Sequence, residues 1–175
     1  MGRIASNNAG MNKKSIVVWL FAFCLSLPVL ATGLVGKVVS VADGDTVTVL
    51  DADKVQHKIR LSGIDAPERA QAFGKRSREY LASMVAGQQV AVETDKTDRF
   101  GRSVGKVLLQ ERDINLAMVA SGMAWHYKKY QREQSSSDRM LYDSAEQEAR
   151  EQRAGLWRDP EPTAPWDWRA ERRGR

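Results

Sequence analysis

From Leu34 onward the chain alternates apolar and polar residues in runs too short for helices and of the right length for strands. Val35–Val41 predicts a first strand and Thr46–Leu50 a second, joined through Asp43-Gly44, the dipeptide of a two-residue type I′ hairpin. Asp51-Ala52-Asp53-Lys54 makes the next turn and leads into a third strand, Val55–Ser62. Val55, His57, Ile59 and Leu61 share one face of it, and Gln56, Lys58 and Arg60 the other. The period then lengthens: Phe73, Ser77, Tyr80, Leu81, Met84 and Val85 recur at helical spacing, and Gly87 ends the run. Gln89–Glu93 and Val104–Leu109 predict the fourth and fifth strands. Asp113 stands where it caps a helix carrying Ile114, Ala117 and Met118 up to Gly122. A third helix is predicted over Ser137–Arg153, stopped by Gly155.

Five short strands interrupted by one helix and followed by two more predict an α+β chain, mainly β, built on a five-stranded Greek-key barrel of the OB type. Its 175 residues suffice for one domain with a real core, placed here over residues 34–157. Beyond Trp157, prolines 160, 162 and 165 predict an extended basic tail over residues 158–175 that adds little to the core. Residues 1–31 read as an export signal. Met11-Asn12-Lys13-Lys14 gives the positive start, Ile16–Ala31 the apolar run, and Val29-Leu30-Ala31 the small residues of a cleavage site. Met11 is then the natural start, and a secreted or periplasmic protein without a membrane segment is expected. The rival reading is an uncleaved anchor, since the apolar run reaches the roughly 20 residues a bilayer requires.

Charge narrows the picture less than it first suggests. The net charge of +5 falls to +2 when Arg3, Lys13 and Lys14 are set aside, so any surface for a polyanion must be local. Cys24, the only cysteine, lies in the apolar N-terminal run, which excludes disulfides and cysteine-ligated zinc from the remainder. With two histidines, His57 and His126, imidazole ligands are scarce while carboxylates are plentiful, which favours calcium or magnesium.

The densest chemistry lies in Asp43-Gly44-Asp45-Thr46, Arg60 and Asp65-Ala66-Pro67-Glu68. Asp45 shares strand parity with the inward Val47 and Val49, and a carboxylate ending an apolar row needs a partner, a cation or a capping role in the turn. Pro67 stiffens the loop and holds Ala66 extended, so Asp65 and Glu68 stay apart in space. Arg60 and Arg102 read alone as solvated charges, and together as two guanidinium forks for a phosphate. Hard-cation carboxylates, a phosphate-binding fork and a free Glu suit metal-assisted cleavage of a phosphodiester bond.

The set as a whole, with Asp98-Arg99-Phe100-Gly101-Arg102 in the following turn, resembles the staphylococcal nuclease (thermonuclease) family over roughly Val35–Trp157. Phe100 replaces the tyrosine usual there, and Leu108 stands where an aromatic is more common. The resemblance implies one calcium ion held by Asp45, Asp65 and the backbone carbonyl of Ala66. It implies Glu68 as the base or water-orienting group, and Arg60 and Arg102 as the phosphate-binding pair. Phe100, Tyr127, Lys128 and Tyr130 then stand near the substrate. Tyr130 aligns with one of the family's nucleotide-contacting tyrosines and Lys128 replaces another, while Trp125 and Tyr127 read equally as cover for the core. The activity implied is hydrolysis of DNA and RNA with little sequence preference, leaving 3′-phosphates, by a monomer. The alternative is a catalytically silent OB-type module that binds nucleic acid or a protein.

Overall fold

The computed structural model describes residue 2 and residues 33–174; the segment read as an export signal, with Cys24, lies outside the described residues. Strands β1 (Leu34–Val41), β2 (Thr46–Leu50) and β3 (Gln56–Leu61) form a meander, and a short β4 (Ile64–Asp65) follows. Helix α1 (Gly74–Val85) leads to β5 (Gln89–Thr97), β6 (Ser103–Leu109), a two-residue β7 (Arg112–Asp113) and α2 (Ile114–Ala120). A two-residue β8 (Trp125–His126), helix α3 (Ser136–Glu151) and a C-terminal helix α4 (Pro165–Arg173) complete the chain.

The barrel closes because β3, already antiparallel to β2, also pairs with β6 in parallel through Ile59↔Ser103, Arg60↔Val104 and Leu61↔Gly105. The order β3-β2-β1-β5-β6 thus returns on itself and leaves no open edge among the five strands, as the OB architecture requires. Period-2 patterning sends Val38, Val47, Val49, Ile59, Leu61 and Val92 inward, each at most 1% exposed. Leu81 and Val85 of α1, Ile114 and Met118 of α2, and Tyr142 of α3 join this core. Val55 precedes β3 and is exposed, so the inward face of that strand starts one step later than its pattern suggests.

Two helix N-termini carry side-chain caps, the first of them the predicted one. Asp113 caps α2 by accepting from the Leu116 amide at 2.9 Å, and also accepts the hydroxyl of buried Tyr142 at 2.8 Å. Ser135 caps α3 by accepting from the Asp138 amide. Buried Asn115 ties the barrel rim together: its amide donates to the carbonyls of Ser62 (3.0 Å) and Gly105 (3.2 Å), while its oxygen accepts from the Val107 amide (3.1 Å).

Two expectations are corrected. The β1–β2 link is not a type I′ turn but a four-residue connection, closed by Ala42 N donating to Thr46 O and by Asp43 Oδ1 accepting from the Asp45 amide. Gly44 does not have the positive φ that a type I′ turn demands. Its need is proximity: a Cβ there would lie 1.8 Å from Ser77 Oγ and 2.7 Å from Ala66 Cβ. The second correction concerns the tail, which is not extended. After the prolines at 160 and 162, Pro165 opens α4 at a position where its missing N–H costs nothing, and Ala164 and Pro165 are buried. Gln71 fastens this segment by donating to the Thr163 carbonyl at 2.6 Å.

Gly44→Ala should therefore destabilise the fold by about 1–3 kcal/mol through overpacking against α1, measured by denaturant unfolding. Unchanged stability would show that the connection can withdraw from Ser77 freely.

Candidate active site

Arg60 sits near the middle of the site because β3 ends beside two buried carboxylates, and it is the guanidinium that pairs with both. Its Nη1 lies 3.1 Å from Asp45 Oδ2 and its Nη2 2.8 Å from Asp65 Oδ1. Nη1 also donates to the carbonyls of Leu61 and Ile64, each at 3.0 Å, so the guanidinium is fixed in both position and plane. Asp45 is 6% exposed and Asp65 1%. Asp45 Oδ2 further accepts the Ala66 amide at 2.7 Å, and its Oδ1 accepts the Thr46 hydroxyl at 3.1 Å. Burial pushes the Asp45 carboxyl up to about 7 despite the opposing pull of Arg60, with Asp43 and Asp65 adding to the rise.

Asp65 and its loop are located by a second small ladder. Strand β4 pairs antiparallel with β8, setting Asp65 opposite Trp125 and Ile64 opposite His126, and the Tyr127 amide donates to the Gly63 carbonyl at 2.8 Å. Glu68 follows on a turn in which its amide donates to Gln71 Oε1 and its carbonyl accepts the Gln71 amide. The start of α1 packs tightly on that carbonyl, where a Cβ on Gly74 would come within 1.9 Å of it. Glu68 is half-buried at the rim, and its Oε1 accepts from Arg169 Nη1 at 2.8 Å.

Arg169 is the residue that sequence reasoning missed. From α4 it donates to Asp65 Oδ2 at 2.6 Å, to Asp65 Oδ1 at 3.3 Å and to Glu68 Oε1, joining the two loop carboxylates through one fork. Burial opposes its charge, yet the bonds to Asp65 and Glu68 outweigh this and raise its pKa above the ordinary arginine value. The available signal was Trp166 and Arg169 three residues apart, which share a face once the segment is helical.

The other predicted site residues divide. Arg102 lies in the turn just before β6, two residues before Val104, the register partner of Arg60. Its Nε and Nη2 are held by Asp98 Oδ2 at 2.8 and 2.7 Å, and Asp98 Oδ1 accepts the amides of Phe100 and Arg102. Phe100 is 68% exposed and stands beneath Arg99 and Arg102. Tyr127 lies close enough to Asp65 that this charge, after burial, raises its hydroxyl pKa. Its ring is stacked on Trp166, with centroids 5.2 Å apart and planes 9° from parallel, and Tyr130 meets it edge-on at 5.0 Å. Lys128 is engaged elsewhere, by Asp143 and by buried Glu146 of α3.

Trp125 answers the question left open for it: it joins Leu156 and Trp157 in a small second core, meeting the Trp157 ring edge-on at 4.4 Å. Beside it a cavity of about 390 Å³ opens between Trp125, Tyr127, Lys129, Glu146, Arg150 and Trp166.

The donor set suits a hard cation. The cluster offers two buried carboxylates and the Ala66 backbone, with neither sulfur nor imidazole. Among the described residues no group of three or more His, Cys, Asp or Glu side chains forms a metal cage, so any ion held by Asp45 and Asp65 would need further oxygen ligands.

Asp98 gives a pH-dependent prediction. Burial raises its carboxyl, but the backbone and guanidinium hydrogen bonds of Arg102 and the Phe100 amide bring it below the ordinary 3.8. Its stabilising contribution is therefore complete above 3.8 and is lost as pH falls through the lowered folded value. Asp98→Asn should be less stable than the parent at neutral pH, with the difference shrinking in acid below 3.8; a constant difference in urea-unfolding series would contradict this.

A family model described as Staphylococcal nuclease homologue matches residues 58–159. The protein ParB of Escherichia coli is 42% identical over 178 residues, covering 94% of this chain and 98% of that protein. An uncharacterized endonuclease of Escherichia coli O157:H7 is 42% identical over 158 residues, covering 90% of this chain and 97% of its own. Micrococcal nuclease of Shigella flexneri is 43% identical over 143 residues, covering 77% and 79% respectively. With its closed five-stranded barrel, its acidic cluster about Arg60 and these matches, the chain belongs to the staphylococcal nuclease homologue family, and with it to the nucleases that hydrolyse phosphodiester bonds.

Proposed function

We propose that this nuclease is calcium-dependent, cleaves both DNA and RNA with little sequence preference, and leaves 3′-phosphates. The observation that carries the reading is the convergence of buried Asp45 and Asp65 on the Arg60 guanidinium, with Glu68 on the same loop at the rim of the barrel. Asp45, Asp65 and the Ala66 carbonyl would hold the ion, whose charge offsets that developing on the phosphate oxygens.

The chain's own groups then have distinct tasks. Glu68, partly solvent-facing, takes or orients the proton of the attacking water at a carboxylate oxygen. Arg60, gripped from below by two carboxylates and two carbonyls, presents a fixed fork to a non-bridging phosphate oxygen. Arg102 adds a second fork, its direction set by Asp98. Charge placed in advance about the pentacoordinate geometry stabilises it more than the substrate, because the site does not reorganise as charge builds. The bond cleaved follows from the family resemblance: the leaving group is the 5′-oxygen, and the phosphate stays on the 3′ side. Contacts to phosphate and ring faces carry little base identity, which supports broad substrate use.

The test offers single-stranded DNA, duplex DNA and RNA to the chain with calcium and with chelator, and repeats the assay on Glu68→Gln and Arg60→Lys. Chelator should abolish cleavage, and Glu68→Gln should lower kcat by about 10²–10⁴-fold. Arg60→Lys should lose activity and also stability, since one ammonium cannot replace the fork between Asp45 and Asp65. Cleavage undiminished in chelator would refute the metal requirement, and binding without cleavage by the unaltered chain would favour the silent module.

A further inference from the structure

Helix α4 lies beyond the stretch matched by the family model, yet it makes the most direct contacts to the candidate metal and base residues. Both oxygens of Asp65 are capped: Oδ1 by Arg60 at 2.8 Å and Arg169 at 3.3 Å, Oδ2 by Arg169 at 2.6 Å. Glu68 Oε1 is taken by the same guanidinium at 2.8 Å. One turn earlier on the same helix face, Trp166 lies flat on Tyr127 at 5.2 Å and edge-on to Trp125 at 5.5 Å. A positive fork on the metal and base carboxylates and a flat aromatic ring on the neighbouring tyrosine reproduce, in one helix, the charge of a cation and the shape of a nucleobase.

We propose that α4 is an intramolecular plug: Trp166 and Arg169 close the acidic cluster and its aromatic shelf in the resting chain, and calcium and nucleic acid displace them together. The inference rests on the calcium reading above. Of the two guanidiniums on Asp65, Arg169 is the one free to leave. Arg60 is 14% exposed and bound by two carboxylates and two carbonyls next to it in its own hairpin and loop. Arg169 is 37% exposed, and buried Ala164 and Pro165 with the Gln71 bond to Thr163 hold the start of its helix independently of that side chain. The prolines at 160 and 162 make the connection to the barrel domain stiff enough to define a docked position without a continuous helix. A cation arriving at Asp65 meets the Arg169 charge on the oxygen it needs, so binding and plug release are linked through one set of lone pairs.

Calcium affinity of the full chain is measured by titration calorimetry without nucleic acid, for the unaltered protein, Arg169→Gln and Arg169→Lys. If the plug occupies about nine-tenths of the resting population, Arg169→Gln binds calcium about tenfold more tightly, and Arg169→Lys falls between. Tryptophan fluorescence of the unaltered chain should change on calcium addition, and Trp166→Phe should remove that change. Equal or weaker calcium affinity in Arg169→Gln overturns the plug while leaving the calcium reading intact. No calcium uptake by either the unaltered chain or Arg169→Gln overturns both.

Discussion

The interaction on which the site depends is the grip of Arg60 on Asp45 and Asp65. Two carboxylates within a few ångströms, both almost fully buried, repel one another and have lost most of their hydration. Leaving either charged without a partner costs several kcal/mol, of the order of 3–5 when one member of a buried pair is removed. Arg60 makes their coexistence tolerable, and it does so from β3, the strand that closes the barrel by pairing with both β2 and β6. Barrel closure and assembly of the acidic cluster are thus one event. The raised pKa of Asp45 shows that the compensation is incomplete. Under the calcium proposal, a cation at this carboxylate would offset part of that remaining cost.

The arrangement fixes both arginines without any ligand. Arg60 is the counter-ion of Asp45 and Asp65, and Arg102 is held by Asp98 in the turn that its own backbone helps to close. In the proposed phosphate-binding role, forks ordered in advance would lower the cost of engaging substrate. Tyr127 and Trp166 act at the other side of the cluster, where β8 brings aromatic residues against Asp65 through a ladder of two residues per strand. The 58–159 family match covers the barrel's second half and α1–α3, and α4 lies beyond it.

Much of this was legible in the sequence. The five strands follow a period of two, and Asp113 announces α2, because local patterning and tertiary burial agree there. Asp45, Arg60, Asp65 and Glu68 were readable as a set because they cluster within one meander and the loop that follows. What escaped was non-local. Gly44 looked like a turn glycine, and only the approach of Ser77 from α1 reveals its steric reason. Prolines 160, 162 and 165 argued for an extended tail, but Pro165 stands in a first turn, where proline favours a helix, and α4 is stabilised by Trp166 against Tyr127 and Arg169 against Asp65. Asp65 lies 104 residues before Arg169 and Tyr127 stands on the far side of α3 in the chain, where no local rule connects them to α4. Lys128, which the family resemblance sets near the substrate, pairs with Asp143 and Glu146 on α3, a helix whose packing angle the sequence does not specify.

The most direct measurement is a crystal structure of the chain grown with calcium. The account predicts an ion bonded to oxygens of Asp45 and Asp65 at about 2.3–2.6 Å, Arg60 still between the two carboxylates, and Arg169 withdrawn from Asp65. An ion bound elsewhere, or Arg169 unmoved on Asp65 beside a bound ion, would contradict it.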